Sequence, residues 1–132
     1  MELPLKVGLE KVGLPIVVTD DTPHLTLLID TGATHNILFS YVCEAMGNRL
    51  SNSELNVNMS GIEGNSITCT QAYTTLKFGE QEVPVVFSIM DATSAISNLQ
   101  AETGVQLHGI LGTSFLKENQ CLINFKNYTL NF

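Results

Sequence analysis

The chain has 132 residues, of which 44% are apolar and 14% are charged, a composition typical of a globular domain and not of a disordered chain. Its 13 acidic residues outnumber its 6 lysines and arginines, and the formal net charge is -7. This argues against a nucleic-acid partner, because phosphate binding needs clustered basic residues. A chain of this length fits one domain, so we expect a single domain over residues 1–132.

The N-terminal part is predicted to be strand. Its apolar stretches are short and are bounded by Gly, Pro or Asp, which favours extended structure over a helix. Strands are expected at 4–9, 14–18 and 24–30, with a turn at 19–23. Because Gly32 follows the third of these closely, we expect that strand to be buried and to end in a tight loop.

The remainder is predicted to alternate hairpins with short helices. Ser40 and Gly47 suit the two ends of a helix, whereas Pro84 has no backbone N–H and predicts a strand start or a sheet edge. Strands are expected at 54–59, 67–78, 83–90, 107–112, 121–125 and 128–132, short helices at 40–46 and 113–118, and one helical turn at 92–99. The predicted fold class is all-β, a mainly antiparallel closed β-barrel with one or two short helices.

The segment 29–34, with the sequence IDTGAT, carries the candidate chemistry. Asp30 would place a carboxylate at the end of a buried strand, and Thr31 could hydrogen-bond the backbone across the loop. Gly32 leaves room for a substrate and can donate its N–H to the carboxylate, while Ala33 keeps the wall of the loop small. These properties suit a carboxylate that activates water and is reached by a peptide.

The run LLIDTGATHNIL resembles the active-site segment of the retropepsin family of aspartic proteases. Ile110, Leu111 and Gly112, which precede a predicted short helix, are similar to the second signature of that family. The resemblance extends over about 25–115 and is closest to the bacterial and retroelement-like members. It implies a retropepsin-like fold in which Asp30 is the catalytic residue and residues 110–112 thread behind the active-site loop and brace it.

A glycine-containing turn lies between these two motifs, where the family has its flap. The resemblance implies that this turn binds and covers the substrate, while a plain hairpin turn is the alternative. The candidate flap residues are Gly61, Ile62, Glu63 and Gly64.

The sequence departs from the viral members of the family beside both motifs. Those members often carry acidic residues after D-T-G-A and an arginine after the second glycine, and the two groups form an ion pair. Here Thr34 and His35 follow the first motif, and Thr113 and Ser114 follow the second. The ion pair is therefore missing, so the resemblance does not imply the substrate backbone contacts that these acidic residues make in the viral enzymes.

The activity implied by the resemblance is that of an endopeptidase. Attack of water on a peptide bond needs one carboxylate as base and one carboxylic acid to polarise the carbonyl. The chain has one D-T-G, so a homodimer with one Asp30 from each copy would supply both groups and act on a peptide or protein without metal or cofactor. Two alternatives stay open: a non-catalytic dimerisation or peptide-binding module of the same fold, and a monomeric β domain in which Asp30 only shapes its turn.

Other candidate groups are given structural interpretations. The histidines match no metal-ligand spacing, the other aspartates considered are not followed by T-G or S-G, and Ser114 lacks the setting of a serine nucleophile. We interpret these residues as surface, packing or solvated loop positions: His24, His35, His108, Asp20, Asp21 and Asp91.

The cysteines and the apolar pattern bear on location. Cys43, Cys69 and Cys121 are widely spaced and form no C-x-x-C pair, so we expect them to be reduced and mostly buried. The sequence shows no apolar run of signal-peptide type and none long enough to span a membrane. A cytoplasmic location without a membrane partner is the resulting expectation.

Overall fold

The computed structural model describes residues 1–60 and 66–132, which are mainly strand. The strands are β1 (Glu2–Pro4), β2 (Ile16–Val18), β3 (Thr26–Ile29), β4 (Ile37–Phe39), β5 (Ser51–Ser60), β6 (Ser66–Phe78), β7 (Gln81–Met90), β8 (Gly109–Leu111), β9 (Leu122–Asn124) and β10 (Thr129–Asn131). The helices are α1 (Lys6–Val12), α2 (Cys43–Met46), α3 (Thr93–Thr103) and α4 (Thr113–Glu118). Short 3₁₀ turns flank α2 at Ser40–Val42 and Gly47–Arg49.

Most of the strands form one curled sheet, in the order β2-β3-β8-β4-β7-β6-β5, and β1-β10-β9 form a smaller sheet. Closure of a barrel requires the two edge strands to hydrogen-bond. Within residues 1–60 and 66–132 the edges β2 and β5 do not pair, so the predicted closed barrel is wrong and the sheet is an open half-barrel. The terminal strands β1 and β10 belong to the smaller sheet, where they pair with each other, Leu3 opposite Leu130, and β10 also pairs with β9.

The predicted strand at 4–9 is also wrong, because β1 ends at Pro4 and α1 follows it. The apolar residues of this segment recur at helical spacing: Leu5 is buried, and Leu9 and Val12 pack against the core. Gly13 ends the helix with a φ of 72°, a left-handed conformation that suits glycine. With α1 and α3, the described part of the chain also contains more helix than the one or two short helices expected.

Gly8 shows why α1 lies where it does. A β-carbon at this position would lie 2.6 Å from the carbonyl oxygen of Leu14 and 2.8 Å from Cβ of Ile16. The absence of a side chain therefore lets the helix approach the segment that enters β2. The sequence interpretation placed this glycine inside the predicted strand at 4–9, whereas in the fold it is a packing position of a helix.

The short helices near the two motifs follow their predictions. Helix α4 has the predicted bounds, and the segment 40–46 forms a 3₁₀ turn followed by α2. Ser40 does not cap that segment through its side chain, but Gly47, with a φ of 51°, follows α2 as expected. Helix α3 is longer than the single turn predicted and ends at Gly104.

The other predicted strands are confirmed with small changes of their ends. Pro84 lies on β7 opposite Thr75, outside the stretch 88–90 where β7 also pairs with β4, as its missing donor predicts. Strands β9 and β10 form the closing hairpin, and Asn124 Oδ1 accepts hydrogen bonds from the turn N–H groups of Lys126 and Asn127.

The core lies under the half-barrel sheet and supports the loops at its edge. Leu27 and Ile29 of β3 are buried, as are Leu111 of β8 and Phe115 of α4. Full burial of each such side chain stabilises the fold by about 1.5–3 kcal/mol. The D-T-G loop therefore starts from a strand that is firmly anchored. In the described ranges no helix is long and apolar enough to cross a membrane.

Candidate active site

Strand β8 brings the two sequence motifs together. It lies between β3 and β4, parallel to β3 and antiparallel to β4, with Ile29 opposite Leu111. The backbone N–H of Asp30 then donates to the carbonyl of Leu111 at 3.0 Å. Ile29 and Leu111 are buried, while Ile110 is half-buried. The segment 110–112 therefore lies directly beside the start of the D-T-G loop, as the resemblance implied.

The D-T-G loop is a tight turn that presents one carboxylate. Gly32 N–H donates to Asp30 Oδ1 at 2.8 Å, and Ala33 N–H donates to the Asp30 carbonyl at 3.2 Å. Asp30 is half-buried, whereas Thr31 and Gly32 are exposed. Neither Asp30 Oδ2 nor the Thr31 hydroxyl has a hydrogen-bond partner among the described residues. A purely turn-forming aspartate would also make the Oδ1 bond, but the second oxygen is left open at the surface.

Gly112 is required by the close approach of two loops. A β-carbon there would lie 2.4 Å from the His35 carbonyl oxygen and 2.6 Å from the Ala33 carbonyl oxygen. The next residue continues the contact, since Thr113 N–H donates to the Ala33 carbonyl at 2.7 Å. Ser114 N–H also donates to the Thr34 carbonyl, at 3.3 Å. Backbone hydrogen bonds, in place of the ion pair of viral members, join the two motifs.

The match to known proteins agrees with this geometry. A family model described as aspartyl protease matches residues 14–115, which include β2, the D-T-G loop, β8 and the start of α4. The chain belongs to the aspartyl protease family. The resemblance inferred from LLIDTGATHNIL and from residues 110–112 is thereby confirmed. No curated protein sequence matches the chain.

Asn36 is a residue of this aspartyl protease domain that the sequence interpretation missed. It is only 4% exposed. Its Oδ1 accepts from Gly112 N–H at 2.9 Å, its Nδ2 donates to the Val86 carbonyl at 3.2 Å, and its carbonyl accepts from Ser88 N–H at 2.8 Å. It thus joins the loop after Asp30 to the glycine turn and to β7. The sequence feature that could have pointed to this role is an asparagine directly before the apolar run Ile37–Phe39.

Replacing Asn36 with alanine should destabilise the domain by roughly 1.5–4.5 kcal/mol. The change leaves the buried Gly112 N–H without its partner, at about 1–3 kcal/mol, and removes the part-buried hydrogen bond to the Val86 carbonyl, worth about 0.5–1.5 kcal/mol. Urea unfolding of wild type and variant measures the difference. Asn98→Ala, at an exposed position of α3, is the matched control and should stay within about 0.5 kcal/mol of wild type. Equal stability of Asn36→Ala and wild type would remove the bridging role.

Asp20 and Asp21 both accept hydrogen bonds from backbone N–H groups. The interpretation as solvated loop residues is corrected for Asp21, which is half-buried, while Asp20 is exposed. Asp20 Oδ2 accepts from Gly79 N–H at 2.5 Å, and Asp21 Oδ2 accepts from Lys77 N–H at 3.1 Å. Asp21 also pairs with Arg49 at 3.0 Å. These contacts fasten the 19–23 loop to the β6–β7 turn and explain both carboxylates without catalysis.

The histidines serve packing and surface roles. His108 Nδ1 accepts from Thr26 N–H at 2.8 Å, which requires a neutral ring. Burial lowers the pKa of His108 and so favours the same neutral form. His24 Nδ1 lies 2.7 Å from the Thr19 carbonyl and donates to it. Across the ranges 1–60 and 66–132, no cluster of three or more side chains suited to a metal ion is present.

Two of the three cysteines, Cys43 and Cys121, have described side chains. Cys43 and Cys121 are free and half-buried, so the expectation that they are mostly buried is only partly met. Burial raises the pKa of both thiols, which keeps them protonated near neutral pH.

The candidate flap residues Gly61, Ile62, Glu63 and Gly64 lie outside the described residues. The flanking strands β5 and β6 are paired up to Ser60 opposite Ser66.

Proposed function

We propose that the protein is a homodimeric aspartic endopeptidase whose catalytic residue is Asp30. The observation that carries the proposal is the D-T-G loop itself, with Asp30 held by Leu111 and Gly32 and with Oδ2 left open at the surface. Family membership supports the same chemistry. An aspartate that only shaped a turn would not need a second, buried motif to brace its loop.

Dimerisation follows from the number of carboxylates. The chain contains a single D-T-G, and the mechanism needs both a base and an acid. Two Asp30 loops that met across a two-fold axis would provide one ionised and one protonated carboxyl group. The ionised group takes a proton from the attacking water, while the protonated group donates to the carbonyl oxygen of the peptide bond. This chemistry requires no metal and no organic cofactor.

The substrate is proposed to be an extended peptide or protein segment. It would lie between the Asp30 loops and the β5–β6 arm and pair through its backbone as an added strand. The segment with Gly61, Ile62, Glu63 and Gly64 joins these two strands and is proposed to act as the flap. The exposed Thr31 and Gly32 leave the floor of this groove accessible in the single chain.

Activity should depend on pairing of two intact chains. When wild-type protein and an inactive Asp30→Asn variant are mixed in equal parts and allowed to exchange, about one quarter of the dimers contain two aspartates, so activity should fall to about one quarter of the all-wild-type value. Peptide cleavage across a mixing series measures this, with sedimentation at the same concentrations reporting the dimer. Adding bovine serum albumin in place of the variant is the control. Activity that falls only in proportion to the wild-type fraction, from a species that sediments as a monomer, would contradict the dimer.

A further inference from the structure

A polar pocket of about 280 Å³ opens beside the active-site loop. Its lining comes from four parts of the chain: His35 and Asn36 after the D-T-G loop, Gln71 and Tyr73 of β6, Val86 and Ser88 of β7, and Ser114 and Glu118 of α4. We call it the His35 pocket. Sites that enclose small organic ligands usually measure about 300–1,000 Å³, so this pocket suits one long side chain and not a whole peptide.

The fold fixes the geometry of the His35 pocket. Gln71 lies opposite Ser88 and Tyr73 lies opposite Val86, so these two cross-strand pairs share one face of the sheet. Ser114 and Glu118 are one helical turn apart on α4 and line the opposite wall. The Asn36 hydrogen bonds to Val86 and Ser88 join this floor to the catalytic loop, so the pocket and the loop form one supported unit.

The position of the pocket relates it to the proposed substrate groove. His35 follows Asp30 by five residues, and a chain of that length spans at most about 18 Å. Gln71 and Tyr73 of the pocket floor are on β6, the strand that returns from the proposed flap. An extended substrate rises about 3.3 Å per residue. A side chain within about five residues of the cleaved bond can therefore reach the pocket.

The chemistry of the lining selects a cation. Glu118 is the one carboxylate on the pocket wall, and neither lysine nor arginine lines it. In the parts of the chain that the structure describes, the side chains of His35, Gln71, Tyr73 and Glu118 make no hydrogen bond or ion pair. The Glu118 carboxylate and the Gln71 amide oxygen can accept hydrogen bonds from a ligand. Tyr73, a residue that is 43% exposed, offers its ring to a cation.

We propose that the His35 pocket is a specificity site that binds an arginine or lysine side chain of the substrate, with Glu118 as its charged partner. This inference rests on the proposed proteolytic function and adds a substrate class to it. The guanidinium or ammonium group pairs with Glu118, and the aliphatic stem packs against Val86 and Tyr73.

The test compares peptides that differ only in one charge. Arginine and its neutral isostere citrulline are placed at each position up to five residues from the cleaved bond, and kcat/KM is measured. Wild type should prefer arginine at one position by roughly five- to tenfold. Glu118→Gln should remove that preference, and Glu118→Lys should favour glutamate at the same position. Glu118 is exposed, so both variants should fold, and Glu102→Gln, an exposed carboxylate on α3, should keep the wild-type preference.

A second measurement does not need cleavage. N-acetyl-arginine N-methylamide is titrated into isotope-labelled Asp30→Asn protein, with the citrulline compound as control, and amide chemical shifts are followed. Saturable shifts around His35 and Glu118 that disappear in Asp30→Asn/Glu118→Gln support the pocket. If wild type cleaves peptides without a basic preference, the pocket proposal is wrong and the protease stands. If nothing is cleaved, the protease proposal fails, and the titration alone decides: Glu118-dependent shifts support the pocket, and their absence overturns it.

Discussion

Asp30→Asn should abolish peptide cleavage and leave the fold intact. Asparagine keeps an oxygen that can accept the Gly32 N–H, so the turn observed around Asp30 Oδ1 can persist. It cannot take a proton from water, and neither copy in the dimer can then act as the base. Acid–base groups contribute about 10²–10⁴ each to such rates, so the loss should be at least about a thousandfold. Single-turnover cleavage of a fluorogenic peptide measures it.

The same chemistry sets the pH dependence of the wild type. The proposed mechanism needs one ionised and one protonated Asp30 carboxyl group in the same dimer, so turnover is lost when both groups carry a proton and when neither does. Activity is therefore expected to follow a bell-shaped curve on the acid side of neutrality. It should be insensitive to metal chelators and to serine- or cysteine-directed reagents. A pH series from strongly acid to neutral conditions, with and without these compounds, checks each point.

The controls separate loss of chemistry from loss of structure. Glu102→Gln removes an exposed carboxylate on α3, outside the loop, and should keep wild-type turnover. Sedimentation of Asp30→Asn should show a dimer at least as stable as the wild type, because like charges at the axis are removed. Wild-type turnover by Asp30→Asn, or wild-type activity that requires added metal, would exclude the aspartic mechanism. A wild type that dimerises but cleaves nothing would favour the non-catalytic module instead.

Gly112→Ala should destabilise the domain by about 3 kcal/mol or more and remove activity with it. The new β-carbon would meet the carbonyl oxygens of His35 and Ala33 at 2.4 and 2.6 Å. Both obstacles are backbone atoms, so relief requires the two loops to separate. Separation weakens the Gly112 bond to Asn36 and the Thr113 bond to Ala33, which together hold the catalytic loop. Urea unfolding and peptide cleavage, measured on the same preparation, record both effects.

Gly32→Ala is the matched variant for this experiment. A β-carbon at Gly32 would contact only Asp30 Oδ1, at 3.2 Å, and the residue is exposed. The carboxylate can move by a few tenths of an ångström, so stability should stay within about 1 kcal/mol of wild type, while turnover falls because the catalytic oxygen is displaced. If Gly112→Ala unfolds like the wild type, the close approach of the loops does not stabilise the site.

Local sequence was sufficient to predict those secondary-structure elements that are specified by their own residues and turns. The predicted α4 has the observed bounds, and the closing hairpin forms around Lys126 and Asn127, because turn chemistry and short-range patterning specify both. The strand before Asp30 was also recognisable as an apolar run. Helix α1 was missed because the glycines and prolines of this segment favoured short strands, although Leu5, Leu9 and Val12 already had helical spacing.

By itself, the sequence determined the family and the position of the candidate carboxylate, since Asp30, Thr31 and Gly32 are contiguous and their loop closes on itself. Only the tertiary structure decided how that loop is supported. The bond from Gly112 N–H to Asn36 Oδ1 joins residues that are 76 positions apart, and no local pattern specifies such a pairing. The open sheet was also decided by the tertiary structure. Its strand order depends on which strands, distant in the sequence, pair and bury apolar surface together, and local sequence does not specify those pairs.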